Sequence, residues 1–265
     1  MSYAVALLSR SYRSAEPFRL VAEDGVDLVG SRVGRVGPAL VFCHGFLGWH
    51  RKERIVRFVE EMARWFQVYA VDLRGHGRSG GLCTFGDREY LDVDAVVRLA
   101  RSEGHRTVAT VGASMGGIAV LRQAALRGGV DAVVAISSPA RWDGHTSRPV
   151  RQIRWLTSTA AGRRVGRGIG VRCAAEWGWP EEPEDVVGRI APTPLILVHG
   201  RDDHFFHPSE ARRLYERAGE PKRLLLGRPF GHAEDGFTPA FAELLARRLL
   251  RVIDGGSPEG VSTRA

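Results

Sequence analysis

Cysteine is scarce in this chain: 265 residues hold three, Cys43, Cys83 and Cys173. The odd count and wide spacing exclude a disulfide framework, and no CxxC pair offers a zinc pattern. Such usage suits a reducing compartment. Lysine is scarcer still. Of 38 basic residues only Lys52 and Lys222 are lysines. The net charge of +8 therefore rests on arginines strewn along the chain among 30 acids. A nucleic-acid surface gathers its charge on one element. The skew reads instead as the mark of a GC-rich coding sequence, and no nucleic-acid partner is expected. Also missing is any apolar run near the roughly 18 residues of a membrane span. The opening MSYAVALLSRSYRS has a short apolar patch at residues 3–8 with no basic segment before it, unlike a signal peptide. A cytoplasmic protein without stable membrane insertion is expected.

What is present is an ordinary globular balance. Hydrophobic residues make up 44% and charged ones 26%, which excludes a disordered or collagen-like chain. A chain of this length buries about three quarters of its extended surface, enough to enclose a dry pocket.

Short apolar runs alternate with helical periodicity. Residues 39–43 (ALVFC), 67–71 (QVYAV), 107–111 (TVATV), 131–136 (DAVVAI), 195–198 (LILV) and 223–226 (RLLL) read as strands buried on both faces. Between them, residues 54–66 place Ile55, Phe58, Val59, Met62 and Phe66 on one helical face. Further helices are expected at 90–100, 115–126, 208–218 and 238–253. Residues 18–22 and 26–31 flank Glu23-Asp24-Gly25, a hairpin turn. The pattern predicts an α/β fold: a mainly parallel sheet with an antiparallel N-terminal edge and helices on both faces. About fifty residues, 140–191, separate two core strands and carry many glycines. A structureless loop of that length is unusual in a compact domain, so they read as an inserted cap or lid. The core domain then comprises 1–139 and 192–253. The Gly/Ser/Pro-rich tail, 254–265, is expected to be disordered.

Four motifs fall just after these strands. Gly112-Ala113-Ser114-Met115-Gly116 is G-x-S-x-G at a strand-to-helix turn, where a sharp bend exposes the serine oxygen and tolerates only glycine two residues to either side. His44-Gly45-Phe46 follows the ALVFC strand. Its glycine permits close backbone approach, and the Phe46 N–H can join that of Met115 as an oxyanion hole. His199-Gly200-Arg201-Asp202-Asp203 offers two carboxylates able to orient a histidine. Gly231-His232 supplies a histidine suited to general-base work near neutral pH. On spacing alone Asp202 and Asp203 compete.

HGFLG, DLRGHGRS (residues 72–79), GASMGG, HGRDD and FGH stand in order and after the right strands. The sequence resembles the α/β-hydrolase fold family over residues 16–253. The resemblance implies an α/β-hydrolase fold with Ser114 as nucleophile, His232 as base and Asp203 as acid, the last because the family spaces its acid as H-G-x-x-D. It implies Phe46 and Met115 as oxyanion donors. The doubled Asp, and histidines at 204 and 207, depart from the family pattern. His199, His204 and His207 match no standard metal set, so neither metal nor cofactor is expected. His44 and His199 read as satisfying backbone groups, the DLRGHGRS loop as scaffolding braced by Arg74 or His76, Cys43 as packing, and Cys83 as a loop residue open to a free-thiol role.

The expected activity is a serine hydrolase (esterase or thioesterase) cleaving a small or medium acyl substrate through an acyl-enzyme. Amidase, carbon–carbon hydrolase, perhydrolase and acyltransferase chemistries share these residues. A non-hydrolytic, receptor-like ligand-binding protein on the same fold is the competing class, marked by lost triad members. In the cap, Trp142 and Trp155 are the candidate substrate contacts, with Trp177 and Trp179 as further aromatics. Nine cap arginines suit either an anionic portion of the substrate or a solvated face. Oligomeric state has no reading in the sequence.

Overall fold

The computed structural model of the chain describes residues 8–175, 178 and 180–255. The tail expected to be disordered, apart from Asp254 and Gly255, and Trp177 and Trp179 lie outside the described residues. Among those described, eight strands form one sheet: β1 (Glu16–Val21), β2 (Asp27–Val33), β3 (Ala39–Cys43), β4 (Gln67–Asp72), β5 (Val108–Ala113), β6 (Ala132–Ile136), β7 (Leu195–Gly200) and β8 (Lys222–Gly227). Their order is β1-β2-β4-β3-β5-β6-β7-β8. β1 and β2 pair antiparallel with each other, and β2 pairs antiparallel with β4. From β4 to β8 all neighbours are parallel.

The helices are α1 (Glu53–Met62), α2 (Glu89–Ser102), α3 (Met115–Leu126), α4 (Arg148–Ser158), α5 (Ala160–Gly168), α6 (Pro183–Val186), α7 (Ser209–Arg217) and α8 (Pro239–Ile253). The alternation of side chains along each strand divides the core in two. Ala39, Val41 and Cys43 of β3 join Val93, Val96 and Leu121 of α2 and α3 on one face. Leu40 and Phe42 join Ile55, Phe58, Leu245 and Leu249 of α1 and α8 on the other. A strand apolar at every position thus feeds two cores, as a covered parallel sheet requires. α4 and α5 lie in the connection from β6 to β7. Ser147 accepts the Val150 N–H at the start of α4, and Thr159 accepts the Gly162 N–H at the start of α5.

The segment after β4 ties the antiparallel edge to the parallel body. Asp72 is buried and accepts from the N–H and Nδ1–H of His50 (2.7 Å each) and the N–H of Arg78 (2.8 Å). Burial opposes its ionisation, but the hydrogen bond and charge of His50 and the other donors hold its carboxyl below the usual range. Arg74, 2% exposed, reaches Asp92 of α2 through Nε and Nη2 (2.9 and 2.6 Å) and Asp24 of the hairpin turn through Nη1 and Nη2 (2.7 and 3.0 Å). The scaffolding expected of this loop is an ion triad joining turn, loop and helix. Removing one member of a buried pair typically costs about 3–5 kcal/mol. Arg74→Met is expected to lower stability by about that amount, read as a fall in the urea midpoint at unchanged slope.

Candidate active site

Ser114 stands between β5 and α3 with φ +53° and ψ −116°, a conformation rare for a side chain with Cβ. Its neighbours make that turn possible. A Cβ on Gly112 would sit 2.0 Å from the carbonyl oxygen of Gly116, and one on Gly116 would sit 2.3 Å from that of Cys43. Glycine is required at both positions because backbone meets backbone there. The Ser114 N–H donates to Ile136 O (2.8 Å), anchoring the turn to β6.

β7 and β8 bring the other two groups to the same edge of the sheet. The Nδ1–H of His232 donates to Asp203 Oδ2 (2.8 Å), and its Nε2 lies 3.0 Å from Ser114 Oγ. With Nδ1 as the donor, Nε2 is left to accept the serine proton. Asp203 is fully buried on its side chain. It also accepts the N–H groups of Phe205 (2.8 Å) and Phe206 (3.0 Å). Burial works against its charge, yet the hydrogen bond and charge of His232, with His199 and the Phe206 N–H, hold its carboxyl below the ordinary value. Asp202 faces elsewhere, accepting from the N–H groups of Phe230 (3.3 Å) and Gly231 (3.2 Å), and so braces the loop that carries His232. Phe205 stacks on the His232 ring at 4.2 Å and Phe206 meets it edge-on.

Phe46 and Met115 border the same space as Ser114. Met115 opens α3, so its N–H has no acceptor inside the helix. The Phe46 N–H meets no backbone carbonyl among the described residues. Gly45 packs against the serine, a Cβ there falling 3.2 Å from that of Ser114. Below, His44 accepts the Leu73 N–H at Nε2 (3.0 Å) and donates from Nδ1 to Gly45 O (2.8 Å). Burial pushes its pKa down. It is a neutral ring holding two backbone groups. His199 likewise donates to Phe206 O (3.0 Å). His76, buried against the Phe46 ring, is pushed down to about 3 by burial.

Ser114 lies where two hollows meet. One, about 240 Å³, is walled mostly by apolar side chains including Phe46, Phe85, Ile118, Trp142 and Ile153. The other, about 460 Å³, is lined by Lys52, Arg54, His204, His232, Glu234 and Asp235. Trp142 is held by its N–H to Glu182 (2.6 Å) and its indole N–H to Pro180 O (3.2 Å). Trp155, paired with it from the sequence, is 48% exposed and does not border either hollow. The reason is helical phase. Val150, Ile153, Arg154 and Thr157 of α4 form the inward stripe at i, i+3, i+4 and i+7, and Trp155 lies about 100° around from Arg154. His145 and Cys83 also border the apolar hollow and were not singled out as substrate contacts from the sequence. The α4 stripe is a signal that periodicity alone could have found. Among the described residues no three His, Cys, Asp or Glu side chains gather as metal ligands.

Comparison with known proteins agrees with this fold. The model of the alpha/beta hydrolase family matches residues 40–258. YfhR, an uncharacterized protein of Escherichia coli O157:H7, is 28% identical over 255 residues, covering 91% of this chain and 81% of that one. The esterase Pf2001 of Pyrococcus furiosus superposes with a TM-score of 0.72 at 21% identity, over 92% of this chain and 93% of its own. The carboxylesterase CesB of Bacillus subtilis does so at 0.70 and 18%, over 96% and 95%. At such identities the structural likeness speaks for the fold, and the match of the family model over most of the chain carries the assignment: the protein belongs to the alpha/beta hydrolase family.

Proposed function

We propose that the protein is a serine hydrolase of carboxylic esters or thioesters, with Ser114 as nucleophile, His232 as base and Asp203 as the orienting acid. The observation that carries this reading is the unbroken relay from Ser114 Oγ through His232 to Asp203, with links of 3.0 and 2.8 Å. Oγ attacks the carbonyl carbon while His232 Nε2 takes its proton. The ionised Asp203 stabilises the imidazolium. The tetrahedral oxyanion is received by the N–H groups of Phe46 and Met115, the latter at the positive end of α3. His232 returns the proton to the leaving group. Water activated by the same ring then releases the acid from Ser114.

The two hollows divide the substrate. The apolar one suits a small or medium acyl group, with Trp142 as one wall. The polar one, with its paired charges Lys52–Glu234 and Arg54–Asp235, suits the leaving group and water. Residues 140–191 act as a cap, since α4 roofs the apolar side while its chain departs from β6 and returns to β7. The mechanism calls for no cofactor or metal.

A fluorophosphonate probe and a panel of p-nitrophenyl esters test the proposal. Wild type is expected to label and turn over. Ser114→Ala and His232→Ala are expected to lose at least about 10³-fold in kcat and to stop labelling. A folded wild type that neither labels nor hydrolyses any ester overturns the reading.

The two aspartates separate cleanly. Asp203→Asn is expected to cost about 10²–10⁴-fold in kcat, because the amide favours the wrong histidine tautomer. Asp202→Asn is expected to stay within about tenfold, because it touches only loop amides.

Asp203 also makes stability depend on pH. Its folded pKa is depressed, so its contribution is complete above the unfolded carboxylate value of about 3.9 and fades as pH falls through the lower folded value. The stability gap between wild type and Asp203→Asn is therefore expected to be constant from neutrality to about pH 5 and to narrow below about pH 4. Urea unfolding at a series of pH values reads it. A gap that widens on acidification contradicts the assignment of an ionised, buried Asp203.

A further inference from the structure

Two cysteines ninety residues apart in sequence meet at the wall of the apolar hollow. Residues 171–174 run along residues 75–83. Arg172 N–H donates to Gly75 O (2.8 Å), Cys83 N–H to Arg172 O (2.7 Å), and Ala174 N–H to Cys83 O (3.0 Å). These bonds make Cys83 and Cys173 partners in a parallel bridge. Bridged chains lie about 4.8 Å apart, inside the range of about 4.4–6.8 Å between the Cα atoms of disulfide-bonded cysteines. Cys83 borders the hollow with Ser114, and its Sγ lies 3.5 Å from Met115 Sδ. Cys173 is only half-buried, and the two residues after it, Ala174 and Ala175, form part of the same wall. Cys43, the third cysteine, is sealed within β3.

We propose that Cys83 and Cys173 form a reversible oxidation site, whose disulfide fastens the 140–191 segment to the core at the cavity wall and restricts entry of the acyl group. The formation of the bond stands on the bridge geometry alone. Its effect on turnover rests on the reading of that hollow as the acyl site. The oxidant class is a small disulfide such as glutathione disulfide. The Cys173 thiolate attacks one of its sulfurs, breaking the S–S bond and releasing one glutathione thiolate. Cys83 then gives up its proton and attacks Cys173 Sγ, expelling the second glutathione thiolate. Two protein thiols lose two electrons and two protons, and one glutathione disulfide becomes two thiols. The order of attack follows from surroundings: Cys173 is only half-buried, whereas Cys83 is buried and burial pushes its thiol up.

The test incubates the full chain with glutathione disulfide, alkylates the free thiols and maps peptides by mass. The expected result is a mass lower by about 2 Da, a peptide linking Cys83 to Cys173, a free Cys43, and reversal by dithiothreitol. On oxidation kcat/KM is expected to fall about fivefold or more for a p-nitrophenyl octanoate and less than about twofold for the acetate, as a restricted entry requires. Cys173→Ser is expected to keep its kcat/KM for both esters under the same treatment. Three free thiols, or glutathione retained on Cys173 beside a free Cys83, overturn the site. A linked pair with unchanged turnover of both esters overturns the restriction. If wild type hydrolyses no ester at all, the functional reading fails while the linked peptide still decides the cysteine pair.

Discussion

The structure turns on one strained residue. Ser114 occupies a left-handed backbone conformation that ordinarily costs about 1–3 kcal/mol for a residue with a side chain. The strain persists because everything around it is already committed. β5 is clamped between β3 and β6, and the Ser114 N–H is fixed to Ile136 O. The start of α3 presses so closely on the end of β3 that Gly116 faces the Cys43 carbonyl with no room for a methyl group. That contact does more than aim a hydroxyl. It sets the first N–H groups of α3 beside the loop that leaves β3, so Gly45 and Phe46 arrive next to the serine as a consequence of helix–strand packing. A looser turn would separate the Ser114 hydroxyl from the Phe46 and Met115 amides.

Around this turn the buried charges are placed so that each has an assigned partner. Asp203 is enclosed where a lone carboxylate would be costly, and its burden is shared among His232 and two loop amides. His199 fixes the carbonyl of Phe206 beneath them, and Phe205 covers the His232 ring. The ring is thereby held in one orientation by stacking as well as by hydrogen bonding. Asp202, one residue earlier, is exposed and holds the loop amides just before His232. The doubled aspartate is a division of labour: one carboxylate orients the ring, and the other shapes the loop that presents it.

Much of this was legible in the sequence because it depends on local rules. Strands apolar at every position announced a sheet covered on both faces, and the turn Glu23-Asp24-Gly25 announced the antiparallel edge. α3 begins and ends at the residues its periodicity indicated. Ser114, His232 and both aspartates were singled out from motif context, and only the family resemblance, through its H-G-x-x-D spacing, preferred Asp203 to Asp202. Their difference lies in which way a three-residue turn rotates each side chain. The connection from β6 to β7 was read less well. Its composition flagged Trp142 and Trp155 alike, whereas only Trp142 is tied inward, through Glu182 and Pro180. Trp155 belongs to a helix whose inward stripe is set one residue away. Composition carries no phase, and phase decides which side chains see the cavity. The pairing of Cys83 with Cys173 was invisible for a similar reason, since it depends on how an irregular stretch between β6 and β7 is laid along the loop after β4.

The loop after β4 links these features. Its arginine joins the hairpin turn to α2, the buried aspartate that ends β4 just before it holds His50, and its far end carries Cys83 to the cavity wall. His76 in the same loop packs its ring edge-on to Phe46 at 5.7 Å, and burial keeps that ring neutral. Phe46 therefore rests on a side chain from the loop, and residues 172–174 beside the hollow are hydrogen-bonded to the same loop through Gly75 and Cys83. The loop that Arg74 anchors to Asp92 thus touches Phe46 on one side and residues 172–174 on the other, through contacts that contain neither Ser114 nor His232. By this argument the shape of the apolar hollow depends less on residues 140–191 alone than on the strip of chain after β4 along which residues 171–174 are laid.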